Sequence, residues 1–328
     1  MENSNGTKSE RTVESLTVEI EDKFKDEEGF KHYNDYKVLR KYGEGSVGKV
    51  KEVVNTKTGQ HFAMKVVNKL LLQMRKEYVR VGKGKMGIKT AFDAVEKEID
   101  IIKDLEHENV VRLHEILTDE DNEKLYMILD NCEKGEIMHW DADTRTYTPC
   151  NGEQYFSEDE IRMILHDAIA GLSYLHGKCI LHRDIKPHNL LMTTQGKVKL
   201  CDYGVAIKVE SRENDILKST EGTYHFMAPE MWNYDIKEFS GIKADIWALG
   251  VTLYAMTYNK MPFWADNELE LANVIVKEEP SFQYDREVSL ELKQLILKLL
   301  KKDPEERPSL EEILQSDAFM TKKQPGAE

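Results

Sequence analysis

The chain has 328 residues, room for about two domains or lobes, with 40% hydrophobic and 32% charged residues and a formal net charge of -14. That acidity argues against a nucleic-acid partner, since a phosphate backbone must be met by an excess of Lys and Arg. The four cysteines make no CxxC pair, against a zinc site or disulfide framework; with no charged-then-apolar leader, a reducing, cytoplasmic setting is expected.

Residues 1–30 are polar and lack sustained periodicity, which predicts a disordered tail. From Tyr36 the stretch YKVLRKYGEGSVGKVKEVVNTKTGQHFAMKVV alternates apolar and polar residues and breaks at Gly43–Gly48 and at NTKTGQ, the pattern of three antiparallel strands. AFDAVEKEIDIIKDL has helical spacing at Phe92, Val95, Ile99 and Ile102. VVRLHEILTDEDNEKLYMILD reads as two further strands around an acidic turn. Beyond it the texture becomes helical. Ser157 and Glu160 form a capping box ahead of IRMILHDAIAGLSYLHGKC. A hairpin, LLMTTQGKVKLCD, turns at Gly196, and four more helical patterns follow. The best apolar run, IWALGVTLYAM, is shorter than the about 20 residues a bilayer demands and reads as a buried helix, so no membrane association is expected. Strands first and helices afterwards give an α+β chain of two lobes, about 31–130 and about 131–319, with a short tail at 320–328.

Several polar groups stand out from this frame. GEGSVGKV, Gly43 to Val50, fits G-x-G-x-x-G-x-V; it is either a plain turn or, lying between strands, a cover of backbone N–H groups over a polyphosphate. Lys65 on the next strand needs a carboxylate if buried, and Glu98 on the following helix is the candidate, although a solvated Glu98 is the ordinary alternative. LHRDIKPHNLL, Leu181 to Leu191, sets His, Arg, Asp, Lys and Asn inside an apolar frame. Such a loop is held down by its apolar residues while its polar side chains converge.

Gly43-x-Gly45, Lys65, Glu98, HRDIKPHN, DYG at Asp202, APE at Ala228–Glu230, DIW at Asp245–Trp247 and Arg307 occur in the order used by protein kinases, and the chain resembles that family from about Tyr36 to Phe319. The resemblance implies a small strand-rich lobe, a larger helical lobe, and use of ATP with Mg²⁺. It assigns Asp184 to the substrate hydroxyl proton, Lys186 to the transferred phosphoryl group, and Asn189 and Asp202 to Mg²⁺. It further assigns Gly43, Gly45, Gly48 and Lys65 to the phosphates, and Val50, Ala63 and Leu191 to the faces of the adenine ring. Leu129 would guard the back of the pocket, the Asp130 and Cys132 backbones would meet the adenine edge, and Glu136 the ribose. His182 is expected to be a strut, and Glu230 with Arg307 a structural ion pair.

Lys186 and Thr223 match the serine/threonine class. Within it, EKEIDIIKDLEHENVVRLHEIL and GLSYLHGKCILHRDIKPHNLL are similar to the calcium/calmodulin-dependent protein kinase kinases, which implies a protein substrate that is itself a kinase. The insert at 69–89 carries seven Lys or Arg against one Glu but lacks that family's prolines; it is a docking element or a solvated basic loop. The stretch 139–155 has no reading. The loop after Asp202 offers Glu210, Glu213 and Asp215 as stand-ins for a phosphate on Ser219 or Thr220 beside Arg183. Calmodulin binding is not expected, because MTKKQPGAE is too short and polar for an amphipathic target helix. The alternative is a catalytically weak scaffold with the same fold.

Overall fold

The computed structural model describes residues 12–45, 48–81, 85–119, 123–233 and 235–321; the expectations for 1–11, for Ser46 and Val47, and for 322–328 lie outside them. Two compact units divide the chain, one of 1–106 with 111–131 and the other of 107–110 with 132–328.

The first unit opens with a one-turn helix, α1 (Val13–Leu16), whose Thr12 and Ser15 form a reciprocal cap. Strands β1 (Thr17–Glu19), β2 (Lys23–Lys25) and β3 (Lys31–Tyr33) follow. The alternating stretch forms β4 (Tyr36–Glu44), β5 (Gly48–Asn55) and β6 (His61–Asn68), all antiparallel. Next come α2 (Lys69–Met74), the hairpin β7 (Lys76–Val81) and β8 (Lys85–Thr90), and α3 (Phe92–Ile102). The strands β9 (Leu113–Thr118) and β10 (Lys124–Asp130) complete an eight-stranded sheet of order β1-β9-β10-β6-β5-β4-β3-β2.

Residues 12–30 therefore depart from the expected tail. β1 pairs in parallel with β9, and Leu16 and Ile20 are buried. Ile20 packs with Tyr33, Tyr36, Val53, Phe62, Met64, Leu117, Tyr126 and Ile128 in one apolar cluster. Three-residue strands are too short to display a period, and their partners lie far along the chain. The basic insert is α2 with the β7–β8 hairpin; Leu70, Leu71, Met74 and Ile88 on it are exposed.

The second unit is mostly helical. After a short strand β11 (Gly135–Glu136), the stretch 139–155 contributes a hairpin, β12 (Met138–Asp141) with β13 (Thr146–Pro149). Trp140 of that hairpin stacks on Trp264 with ring centroids 5.7 Å apart, and Tyr147 meets His188 edge-on at 5.8 Å. α4 (Glu158–Gly177) begins at the Ser157–Glu160 capping box. Beyond it lie β14 (Ile180–Leu181), β15 (Leu190–Met192), β16 (Val198–Leu200), β17 (Ile207–Lys208) and β18 (Ile216–Leu217). The β15–β16 turn is made by Gly196 at φ 81°, a conformation glycine adopts at no steric cost.

The core helix α6 (Gly241–Tyr258) follows the short α5 (Pro229–Trp232) and β19 (Phe239–Ser240). Buried on nearly every side, α6 reads as an unbroken apolar run because it has no solvent face. It is not a membrane span: among the described residues no helix is long and apolar enough to cross a bilayer. α7 (Glu268–Lys277) packs on α5, α8 (Leu290–Leu299) against α6, and α9 (Leu310–Ser316) on α4. Their starts are capped by Asn267, Ser289 and Ser309, each satisfying a backbone N–H that the first turn leaves open.

Candidate active site

In the first unit the sheet register decides which nominated residues share a face. Val50 pairs with Lys65, and Ala63 with Leu129. Side chains alternate along a strand, so Val50, Ala63, Lys65 and Leu129 all lie on one face. Their neighbours Val53, Phe62, Met64 and Ile128 point the other way, into the apolar cluster. Lys65 Nζ donates to both carboxylate oxygens of Glu98, at 2.6 and 2.8 Å, and the carboxylate is only 8% exposed. The solvated alternative for Glu98 is excluded: α3 buries it beside Val95, Ile99 and Ile102.

The glycines separate by cause. A Cβ on Gly48 would lie 2.1 Å from the Val66 carbonyl oxygen, so the strand crossing itself demands glycine there. At Gly43 and Gly45 an added Cβ meets no described atom within 4 Å. Packing does not explain those two, and neither has a positive φ. Asp130 is held by the chain: its N–H donates to the Arg112 carbonyl, and its carboxylate takes the His114 ring at 2.7 Å.

In the second unit the HRDIKPHN loop is organised by Asp245 of α6. This carboxylate, 1% exposed, accepts the backbone N–H groups of His182 and Arg183 at 3.0 and 2.8 Å and the His176 ring at 2.9 Å. Burial alone would raise its pKa; the His176 bond and charge and the Arg183 N–H outweigh that and hold it below the usual value. The bonds stabilise a turn in which Arg183 sits at φ 68°, a left-handed conformation that costs a non-glycine residue about 1–3 kcal/mol. His182 is fully buried, with Nδ1 accepting the Asp184 N–H and Nε2 donating to the Cys201 carbonyl. Both ring nitrogens serve the backbone.

Asp184 is the centre of the polar network. Its Oδ1 accepts the Thr223 hydroxyl at 2.7 Å and the Thr223 N–H at 3.1 Å. Its Oδ2 receives Lys186 Nζ at 2.7 Å and Asn189 Nδ2 at 3.0 Å. Lys186 Nζ also donates to the Thr223 hydroxyl at 2.7 Å, closing a triangle. Burial opposes ionisation of Asp184, but the Lys186 bond and charge and the Thr223 bond prevail, so its pKa is lowered. Gly222 makes the approach possible: at φ 113°, a Cβ there would sit 2.3 Å from the Arg183 carbonyl oxygen. The sequence identified Thr223 only as a marker of class; its contact with Asp184 depends on a turn that spacing does not reveal.

Asn189 and Asp202 are brought together through the backbone. The Cys201 N–H donates to the Asn189 carbonyl at 3.0 Å, so Asp202 follows directly on a residue bonded to Asn189. Asn189 spends its amide N–H groups on Asp184, which leaves its side-chain oxygen as the group to offer a cation. Amide and carboxylate oxygens suit a hard ion, and Mg²⁺ takes few protein ligands, completing its shell from phosphates and water. Among the described residues no group of three or more His, Cys, Asp or Glu could hold a metal ion. Glu136 lies directly across the β11–β15 ladder from Leu191, so those two nominees are neighbours, and the Cys132 carbonyl accepts the Gly135 N–H. Tyr203 buries its ring beside His182 and donates its hydroxyl to the Leu200 carbonyl at 2.9 Å.

Arg307 and Glu230 form a two-point ion pair, each contact 2.7 Å, with the guanidinium fully buried. Arg307 also donates to the Lys301, Lys302 and Lys243 carbonyls. Among the described residues Arg183 is not paired with Glu210, Glu213 or Asp215, the charges acting on it being those of Glu221 and Asp245: Asp215 is engaged at the start of α6, and Glu210 accepts from Asn214. Its guanidinium donates instead to the Ser219 carbonyl at 3.4 Å.

The chain is similar in sequence to several known proteins. Serine/threonine-protein kinase TOS3 of Saccharomyces cerevisiae is 35% identical over 301 residues, 85% of this chain and 52% of that protein. A calcium/calmodulin-dependent protein kinase kinase of Caenorhabditis elegans is 36% identical over 296 residues, 87% of this chain and 52% of that one. SNF1-activating kinase 1 of Saccharomyces cerevisiae is 34% identical over 316 residues, 85% of this chain and 27% of its own. The chain thus spans about half, or less, of the length of these relatives. The protein kinase domain model matches residues 36–319, the segment that carries the Lys65–Glu98 pair and the Asp184 network; the chain belongs to the protein kinase domain family.

Proposed function

We propose that this chain is a serine/threonine protein kinase that transfers the γ-phosphoryl group of ATP to a hydroxyl of a protein substrate, with other kinases as the substrate class. The observation that carries the reading is the network in which Asp184, held ionised by Lys186, Asn189 and Thr223, keeps a carboxylate ready for a hydroxyl proton. The substrate oxygen bonds to the γ-phosphorus, its proton passes to Asp184, and the bond to the β-phosphate oxygen breaks to release ADP. Lys186 neutralises charge on the phosphoryl oxygens. Lys65, oriented by Glu98, binds phosphate oxygens, and the unhindered backbone at Gly43 and Gly45 lets the nucleotide approach closely. Asn189 and Asp202 would hold Mg²⁺, which when bound neutralises the β- and γ-phosphate oxygens.

Serine and threonine are favoured as acceptors by Lys186 and Thr223, and kinases as substrates by the names of two similar proteins, a protein kinase kinase and an SNF1-activating kinase. The test is incubation with labelled ATP and a panel of catalytically inactive kinases, followed by phosphoamino-acid analysis. Label on Ser or Thr supports the reading; no transfer to any protein, with ATP bound normally, would favour the scaffold.

A further inference from the structure

The segment between Asp202 and Ala228 is bonded to the start of α6 through an internal carboxylate. Asp215 is 7% exposed although it lies in an otherwise polar loop. Its Oδ2 accepts the Ser240 hydroxyl and, at 2.9 Å, the Ile242 N–H, while its carbonyl accepts the Gly241 N–H at 2.9 Å. Ser240 is the cap of α6, so Asp215 satisfies open N–H groups in the first turn of the helix that carries Asp245.

The next two residues extend the attachment. Ile216 and Leu217 pair with Ser240 and Phe239, and Leu217 is buried with Leu181 and Phe239. The fit is close: a Cβ on Gly241 would lie 2.3 Å from Leu181 Cδ1 and 3.0 Å from Leu217 Cδ1. From this anchor the chain runs through Ser219, whose carbonyl receives Arg183, to Gly222 and Thr223 on Asp184. One end of the segment is thus tied to α6 and the other to the proton acceptor.

We propose that Asp215 is a positioning residue for phosphoryl transfer: by tying this segment to the first turn of α6, it sets Thr223 against Asp184. The inference rests on the kinase reading, and wild-type transfer in the same assay tests that reading separately. Asp215→Ala is expected to lower kcat/KM for the protein substrate at least about tenfold, the scale set by a lost positioning contact, with KM for ATP unchanged. Asp215→Asn, which keeps an acceptor for the Ile242 N–H, is expected to retain most of the activity. Asp215→Ala within twofold of wild type on folded enzyme, or Asp215→Asn losing as much as Asp215→Ala, would overturn the proposal. Should Asp215→Ala not fold, hydrogen exchange of peptides covering 209–221 decides in Ser240→Gly, which removes the hydroxyl donor to Asp215 while glycine remains tolerated at a helix cap. Faster exchange there with α4 unchanged supports the latch, and an unaltered rate refutes it.

Discussion

Thr223 and Asp184 are joined at two points, the hydroxyl at 2.7 Å and the N–H at 3.1 Å, both on the same carboxylate oxygen. A residue of the segment between Asp202 and Ala228 thereby sets the orientation of the group proposed to accept the proton. Thr223→Ala removes one of these bonds and the Lys186 contact but leaves the N–H. It is expected to reduce kcat about 10–100-fold, less than the loss of about 10²–10⁴-fold from removing an acid–base group outright, while Thr223→Ser restores most of it. Steady-state kinetics of the two variants check this; equal loss in both would mean the hydroxyl is not what matters.

Lys65→Met is expected to abolish most transfer, and it also leaves the buried Glu98 carboxylate without its ammonium. Removing one partner of a buried pair costs up to about 3–5 kcal/mol, reduced here because Lys65 is 19% exposed. Denaturant titration should show Lys65→Met less stable at neutral pH than Lys65→Met/Glu98→Gln, with both inactive.

Much of this arrangement was legible because its signals are local. Alternation marked β4, β5 and β6, the Ser157–Glu160 box marked the start of α4, and HRDIKPHN placed Asp184, Lys186 and Asn189 within one short loop. What escaped depends on distant partners. β1 is recognisable only once β9 is beside it, about a hundred residues on, and the 138–149 hairpin only once Trp264 receives Trp140. Asp215 looked like one acid among three; its burial follows from Ser240 and Ile242 reaching it across the fold.

The Glu230–Arg307 pair should behave as a structural element. Glu230→Ala strands a guanidinium with no exposure and is expected to destabilise the second unit by about 3–5 kcal/mol. Replacing both residues with apolar side chains of similar size should cost less than replacing Glu230 alone. Thermal or chemical unfolding of the two variants measures the difference.

Stability should fall on mild acidification. Burial pushes the imidazoles of His107, His188 and His225 below their ordinary value, Glu108 and Glu136 opposing this only in part. Unfolded histidines titrate near about 6.5, so below that pH the unfolded chain binds protons that the folded chain does not, and stability drops. The lowered pKa values of Asp184 and Asp245 act the other way round in range: their contribution is present above the usual carboxylate values and is lost only as pH falls through the lower folded values. Denaturant midpoints measured between about pH 7 and pH 5 should decline, and His225→Gln should flatten the decline.

Ser219→Ala/Thr220→Ala is expected to keep substantial activity, since Asp215 and the Ser219 backbone already hold the loop. An inactive double variant with a normal unfolding midpoint would show that the loop needs its phosphate.

The most direct measurement is transfer of labelled γ-phosphate from ATP to an inactive kinase by the wild type and by Asp184→Asn, whose amide cannot take a hydroxyl proton. The account predicts label on Ser or Thr with the wild type and a loss of about 10²–10⁴-fold in kcat with the variant, ATP binding being preserved. Near-full activity of Asp184→Asn would contradict it.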